Sequence, residues 1–150
     1  MLLALDIADA NVAAEVLEVQ RRSYRIEADL IGTDAIPPLR EDLDDLRACG
    51  ETFLGAFDGD RLASFASWKF DGETVDIHRL AVDPAFFRQG IGAELVRAVL
   101  AVEATARRWV VQTGAANEPA KALYAREGFA EVGGRVVGEG VRVTLFERTV

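Results

Sequence analysis

The hydrophobic period along the chain switches between 3.6 and 2 residues, and the switches outline its elements. Leu2 to Ala8 reads as a short first strand. Val12, Val16 and Val19 then recur at helical spacing and predict an amphipathic helix over residues 11–24. Gly32, Pro37 and Pro38 break the pattern, so residues 31–39 read as a loop. Leu39, Leu43 and Leu46 share one face of a second helix over residues 40–50, with Gly50 as its stop. From Thr52 the period falls to two. Three strand-like runs, 52–58, 61–70 and 74–82, are separated by Asp58-Gly59 and Asp71-Gly72, dipeptides that supply the positive φ angles of tight hairpins. An antiparallel meander is expected there.

The strongest helical pattern runs from about Gly90 to Arg107, where Leu95, Val96, Val99, Leu100 and Val102 form a core-facing stripe. An apolar strand at 108–113 follows. A short helix begins near Asn117, with Pro119 in its first turn and Gly128 as its stop. Two further strands flank Gly138-Glu139-Gly140. The order is β-α-α-β-β-β-α-β-α-β-β, an α/β fold with a mixed sheet. The crossover from Thr74 to Thr113 makes its two strands parallel. With 150 residues and no repeat, low-complexity tract or linker, residues 1–150 are expected to form one domain.

Charge narrows the partners. Seventeen basic against twenty-five acidic side chains leave a formal charge of −8, which argues against a general nucleic-acid binder, because that function needs a basic face. Cys49 is the single cysteine and His78 the single histidine, so an internal disulfide is impossible and a zinc site of the usual Cys/His kind is not expected. The N-terminus meets Asp6 after a few apolar residues with no basic lead-in. No apolar run approaches the ~20 residues that span a bilayer. A membrane partner is therefore not expected, and the expected location is the cytoplasm.

Candidate chemistry centres on "VDPAFFRQGIGAEL", residues 82–95. The first amides of a helix lack internal partners, and the helix dipole makes that end partly positive. Glycines at such a mouth let a bulky anion approach, since no Cβ stands in the way, and a phosphate is the natural ligand. The pattern is not a Walker loop, because no Gly-Lys-Ser/Thr follows. It is not the dinucleotide fingerprint either, since the third glycine would fall at Leu95. The alternative is a tight turn into a helix and nothing more.

Together, "LAVDPAFFRQGIGAEL" and the later "NEPAKALYAREGF" resemble the GNAT superfamily of N-acetyltransferases, and the element order resembles that fold over nearly the whole chain. The resemblance implies acetyl-CoA as co-substrate. It implies that the backbone of Leu80, Ala81 and Val82 meets the pantetheine arm, and that Arg88, Gln89, Gly90, Ile91, Gly92 and Ala93 wrap the pyrophosphate. The Arg/Gln expected three residues before Gly90 is Phe87 here, so Arg88 or Gln89 is left to supply that side-chain contact.

The same likeness makes Tyr124 the general acid at the thiol, Asn117 a contact to the cofactor arm, and a backbone N–H near Val82 the oxyanion donor. A phenol can protonate or hydrogen-bond a thiolate; the alternative for Tyr124 is a core residue. Asn117 equally suits a helix N-cap. His78 has the intrinsic chemistry of a base and lies on the strand leading to the loop, with Asp76 of the same parity as a second candidate; a structural histidine is the alternative. The acceptor is expected beside the first two helices, near Arg21, Arg22, Tyr24, Glu27 and the Asp34–Leu39 turn. The resemblance thus points to an N-acetyltransferase acting on a small-molecule amine, a peptide N-terminus or a lysine. A non-catalytic acyl-CoA-binding sensor of the same fold is the alternative. A homodimer is expected only from the family's habits.

Overall fold

The computed structural model of the chain describes residues 1–33 and 35–150; Asp34, part of the expected loop at 31–39, lies outside them. After β1 (Leu2–Leu5), Asp9 opens α1 (Ala10–Ile31) by accepting hydrogen bonds from the Asn11 and Val12 amides at 2.8 and 3.3 Å. The helix runs two turns beyond the predicted stretch, because Tyr24 and Ala28 continue its buried stripe until Gly32 ends it in a left-handed conformation.

The predicted second helix is two: α2 (Pro37–Arg40) and α3 (Leu43–Arg47). Asp42 makes the break. Its carboxylate accepts the Asp45 amide at 2.8 Å while Asp45 accepts the Asp42 amide at 3.0 Å, a reciprocal cap that starts a new helix. Pro37 and Pro38 are helical rather than loop, since a first turn needs no intrahelical donor.

β2 (Thr52–Asp58), β3 (Arg61–Phe70) and β4 (Thr74–Val82) form the expected meander. α4 (Ile91–Val99) is shorter than predicted, and Val102 is exposed instead of core-facing. Residues 100–107 are held by the β3–β4 hairpin instead. The Trp68 indole donates to Glu103 at 3.2 Å, the Thr105 hydroxyl to the Gly72 carbonyl at 3.0 Å, and the Arg107 amide to the Glu73 carbonyl at 2.8 Å. Tertiary bonds outweigh local helix propensity here. β5 (Arg108–Gly114), α5 (Glu118–Arg126), β6 (Ala130–Val137) and β7 (Val141–Thr149) follow as expected.

The seven strands form one sheet in the order β1-β2-β3-β4-β5-β7-β6, with β4 and β5 parallel and the other neighbours antiparallel. Two cores sandwich it. Phe53, Phe65 and Ala81 pack with α1 and α3 on one face; Ala66, Ile77, Trp109 and Phe146 pack with α4 and Tyr124 of α5 on the other. Adjacent residues such as Phe65 and Ala66 serve opposite faces because side chains alternate along a strand.

One irregularity positions the site. β4 and β5 pair only from Thr74–Arg108 to Ile77–Val111, and beyond that the two strands part. On the other edge of β4, Ser67 faces Arg79 while Trp68 faces Ile77, which leaves His78 as the extra residue of a β-bulge. The bulge falls where the parallel pairing ends.

Candidate active site

A cleft of about 860 Å³ opens in the gap between β4 and β5. Leu80 and Val82 form its β4 wall, and Thr113 and Gly114 its β5 wall. Tyr24 and Glu27 of α1 lie across the gap, with Asn117 and Tyr124 of α5 also on the lining. At one mouth stands the glycine loop, where Arg88, Gly90, Ile91, Gly92 and Ala93 all border the cleft.

The loop has the geometry of an anion cradle. Asp83 starts it: its carboxylate accepts the Ala85 amide at 2.9 Å and is held by Arg22 at 3.1 Å and Arg61 at 3.3 Å. Burial pushes the Asp83 carboxyl up, but these donors outweigh it and hold it below the usual carboxylate range. Arg88 has φ +64, left-handed for a non-glycine residue, and Gly90 has φ +74. A Cβ on Gly90 would meet nothing within 4 Å, so its outer side is open space. The Glu94 amide is bonded to the Gly90 carbonyl, whereas the earlier amides of α4 have no such partner among the described residues. Arg88 and Arg126 add positive charge at this mouth.

Deeper in the cleft, Tyr124 is 4% exposed and packs edge-on against Phe129 and at a tilt to Phe146. Its hydroxyl has no hydrogen-bond partner among the described residues. Burial, and then the nearby Tyr24 and Glu27, hold the phenol protonated far above its ordinary range. Tyr24 behaves alike: burial and Glu27 raise it, against the Leu80 backbone amide. Asn117 takes the capping role and also lies on the cleft lining. Its carbonyl caps α5 through the Ala120 amide at 3.2 Å, while its amide group approaches the Thr113 hydroxyl at 3.4 Å beside the cleft.

The opposite half of the cleft is charged. Arg79, 6% exposed, forks between Glu41 and Glu51 and donates to Gln20 at 2.9 Å. Ser67 donates to Glu51 at 2.6 Å. Burial disfavours charge on both partners, yet their pairing wins: Glu51 is held below the carboxylate range and Arg79 is raised. His78 borders this cluster, its Nδ1 3.5 Å from Glu51 and its Nε2 3.2 Å from Asp76, so both ring nitrogens face carboxylates. Among the described residues no group of three His, Cys, Asp or Glu side chains converges to hold a metal ion.

Several expected site residues stand elsewhere. Arg21 is exposed and ties α1 to the Glu41 carbonyl at 3.2 Å, because its helical position faces away from the gap. Asp76 borders a separate shallow cleft of about 460 Å³ that His78 shares. Ala81 alternates away from Leu80 and Val82, so its side chain lies under α1, and its carbonyl accepts the Ser64 hydroxyl at 2.9 Å. Gln89 points to solvent beside the loop. The Val82 amide, expected to be an open oxyanion donor, already donates to the Ser23 hydroxyl at 3.3 Å. A parted strand leaves amides orphaned, and α1 supplies the acceptors: Ser23 for β4, and Glu27, one turn later, for the Gly114 amide of β5 at 3.1 Å. Ser23, Glu41, Glu51 and Arg79 were not picked out from the sequence. The four-residue spacing of Ser23 and Glu27 was the available signal for a shared face.

The bulged, splayed parallel pair and the open glycine mouth of α4 occur in a chain whose family is known. The chain belongs to the acetyltransferase (GNAT) family, whose model matches residues 13–129. UPF0157 protein YqkA of Bacillus subtilis is 33% identical over 146 residues, covering 97% of this chain and 43% of that protein, so the chain spans less than half of it. The N-alpha-acetyltransferase RimI of Mycobacterium tuberculosis is 31% identical over 138 residues, covering 87% of this chain and 85% of that protein. Among solved structures, the ribosomal-protein-S18-alanine N-acetyltransferase from Escherichia coli superposes with a TM-score of 0.78 at 17% identity, over 99% of this chain and 92% of that one. The PaiA N-acetyltransferase from Thermoplasma acidophilum, in complex with coenzyme A, gives 0.77 at 16% identity, over 100% and 98%. Both structures share the fold.

Proposed function

We propose that the chain is an acetyl-CoA-dependent N-acetyltransferase acting on a primary amine. One observation carries the reading: a single cleft joins the open glycine mouth of α4 to the unpartnered Tyr124 hydroxyl. Acetyl-CoA, when bound, supplies the activated acyl group as a thioester. The amides of Ile91, Gly92 and Ala93, with Arg88, hold its pyrophosphate, and the β4 edge from Leu80 to Val82 and Asn117 hold its arm. Tyr124, kept neutral by burial, carries the proton for the departing sulfur. The acceptor enters on the α1–α2 side, where it meets Tyr24 and Glu27. A peptide α-amine is one acceptor of this kind, supported by the 31% identity to a protein named N-alpha-acetyltransferase. His78, the base candidate from the sequence, has both nitrogens turned to Glu51 and Asp76, and Asp76 is beyond the cleft wall.

A second reading, a non-catalytic acyl-CoA binder, is favoured by the Val82 amide being taken by Ser23. Both readings require cofactor binding, so a thermal melt with acetyl-CoA comes first. At about 100 times its Kd the ligand adds roughly 2.7 kcal/mol, about 5–10 °C in a domain of this size. The expected result is that rise, followed by CoA release with an alanine-initiated peptide or 1,4-diaminobutane. No shift at millimolar acetyl-CoA overturns both readings. A shift without CoA release from any primary amine leaves the binder.

A further inference from the structure

Resting on the acetyltransferase reading, we propose that Glu27 is the catalytic carboxylate that receives the acceptor nitrogen: it accepts an N–H, aims the lone pair, and takes the proton shed as the new bond forms. Glu27 borders the cleft from α1. Its Oε1 is fixed by the Gly114 amide at 3.1 Å and the Thr113 hydroxyl at 3.2 Å. Its second oxygen has no partner among the described residues, and no cation there neutralises it. The remaining carboxylates of the cleft differ in this respect. Glu41 and Glu51 are both taken by Arg79, and Asp76 lies outside the cleft wall. Glu27 is thus the carboxylate on the cleft lining that no cation among the described residues holds.

A second, independent observation marks the same place. The Tyr124 hydroxyl, in a side chain more than nine-tenths buried, has no protein partner and borders the same cleft. Glu27 lies near enough for its charge to act on both Tyr24 and Tyr124. A proton acceptor and a proton donor therefore flank one empty volume, as acyl transfer between nitrogen and sulfur requires.

The proton balance closes without another reactant. The amine enters neutral, and its nitrogen becomes positive as the C–N bond to the acetyl carbon forms. That charge is stabilised by Glu27, which then removes the proton. The C–S bond breaks, and the sulfur takes the Tyr124 proton. Proton return from Glu27 to Tyr124 restores both groups, leaving an amide and a thiol.

The test needs no knowledge of the natural acceptor. S-(2-aminoethyl)-CoA places an ammonium two carbons from sulfur, near where the attacking nitrogen sits, and S-propyl-CoA is its uncharged isostere. Calorimetry is expected to give the wild-type protein about tenfold tighter binding of the aminoethyl compound, equivalent to about 1.4 kcal/mol. Glu27→Gln is expected to bind both compounds alike, with S-propyl-CoA at wild-type affinity. Glutamine keeps an oxygen for the Gly114 amide, and the wild-type comparison stands whether or not the variant folds. Equal binding of the two compounds by wild type, or a preference that survives in Glu27→Gln, overturns the role of Glu27 alone. Failure of both compounds to bind wild type overturns the acetyl-CoA reading together with it.

Discussion

Tyr124 shows what a single position can carry. Its ring is core, between Phe129 and Phe146, and its hydroxyl is the polar end left facing the cleft. Tyr124→Phe keeps the packing and deletes the hydroxyl. Turnover is expected to fall about a hundredfold or more while acetyl-CoA affinity is retained, since the group acts on the leaving sulfur rather than on the bound arm. Steady-state kinetics beside calorimetry checks this; unchanged kcat rules out Tyr124 as the acid. The tyrosine and Asn117 were legible in the sequence because their motif is local. Ser23 and Arg79 were not, because their partners lie far along the chain: Val82 for Ser23, and Gln20, Glu41 and Glu51 for Arg79. Glu27 was placed on the acceptor side, but its hold on the Gly114 amide was not legible. Position in the sequence says nothing of such pairings until the sheet has assembled.

At the scale of the element, the opening of α4 joins fold to function. Gly90 sits at φ +74 as the N-cap, with open space where its Cβ would be. Gly90→Val strains the backbone by about 1–2 kcal/mol, because a left-handed conformation is costly for an L side chain and more so for a β-branched one. It also places methyl groups where the anion would approach. A lower apo melting temperature and at least tenfold weaker acetyl-CoA binding are expected. Wild-type affinity in the folded variant contradicts the cradle. The hairpins, the crossover and this loop could be read ahead of the structure because each is set by a glycine or a change of period. The ends of α1, α2 and α4 could not. Glu103, Thr105 and Arg107 continue a helical pattern in sequence, yet bonds to Trp68, Gly72 and Glu73 draw them out of it. The His78 bulge has no sequence signature at all, although it sits where the cleft begins.

For the whole molecule, the buried titratable groups bound the pH range of stability from both sides. Glu51 and Asp83 are held below the carboxylate range in the folded chain. Their contribution is complete above the unfolded values, about 4.3 and 3.9, and is lost as pH falls through the lower folded ones. Tyr24 and Tyr124 act in the opposite sense. Burial raises both, so their contribution is complete below the unfolded value of about 10 and is lost as pH rises beyond it, where only the unfolded chain ionises. These are the two tyrosines of the chain, and Lys69 and Lys121 are its lysines. Burial also raises the Cys49 thiol, so its smaller contribution begins to be lost earlier, above the unfolded thiol value of about 8.5. Urea unfolding followed against pH is expected to show a plateau between about pH 5 and 8.5, a shallow fall above it from Cys49, and a steeper one beyond about pH 10 from the tyrosines. Tyr124→Phe removes one proton from the alkaline limb. Above pH 10 its stability is expected to decline less steeply than wild type, by up to about 1.4 kcal/mol per pH unit. An alkaline limb of unchanged slope in that variant would mean that the Tyr124 hydroxyl ionises in the folded protein as readily as in water, and the sealed, neutral acid at the centre of the cleft would have to be given up.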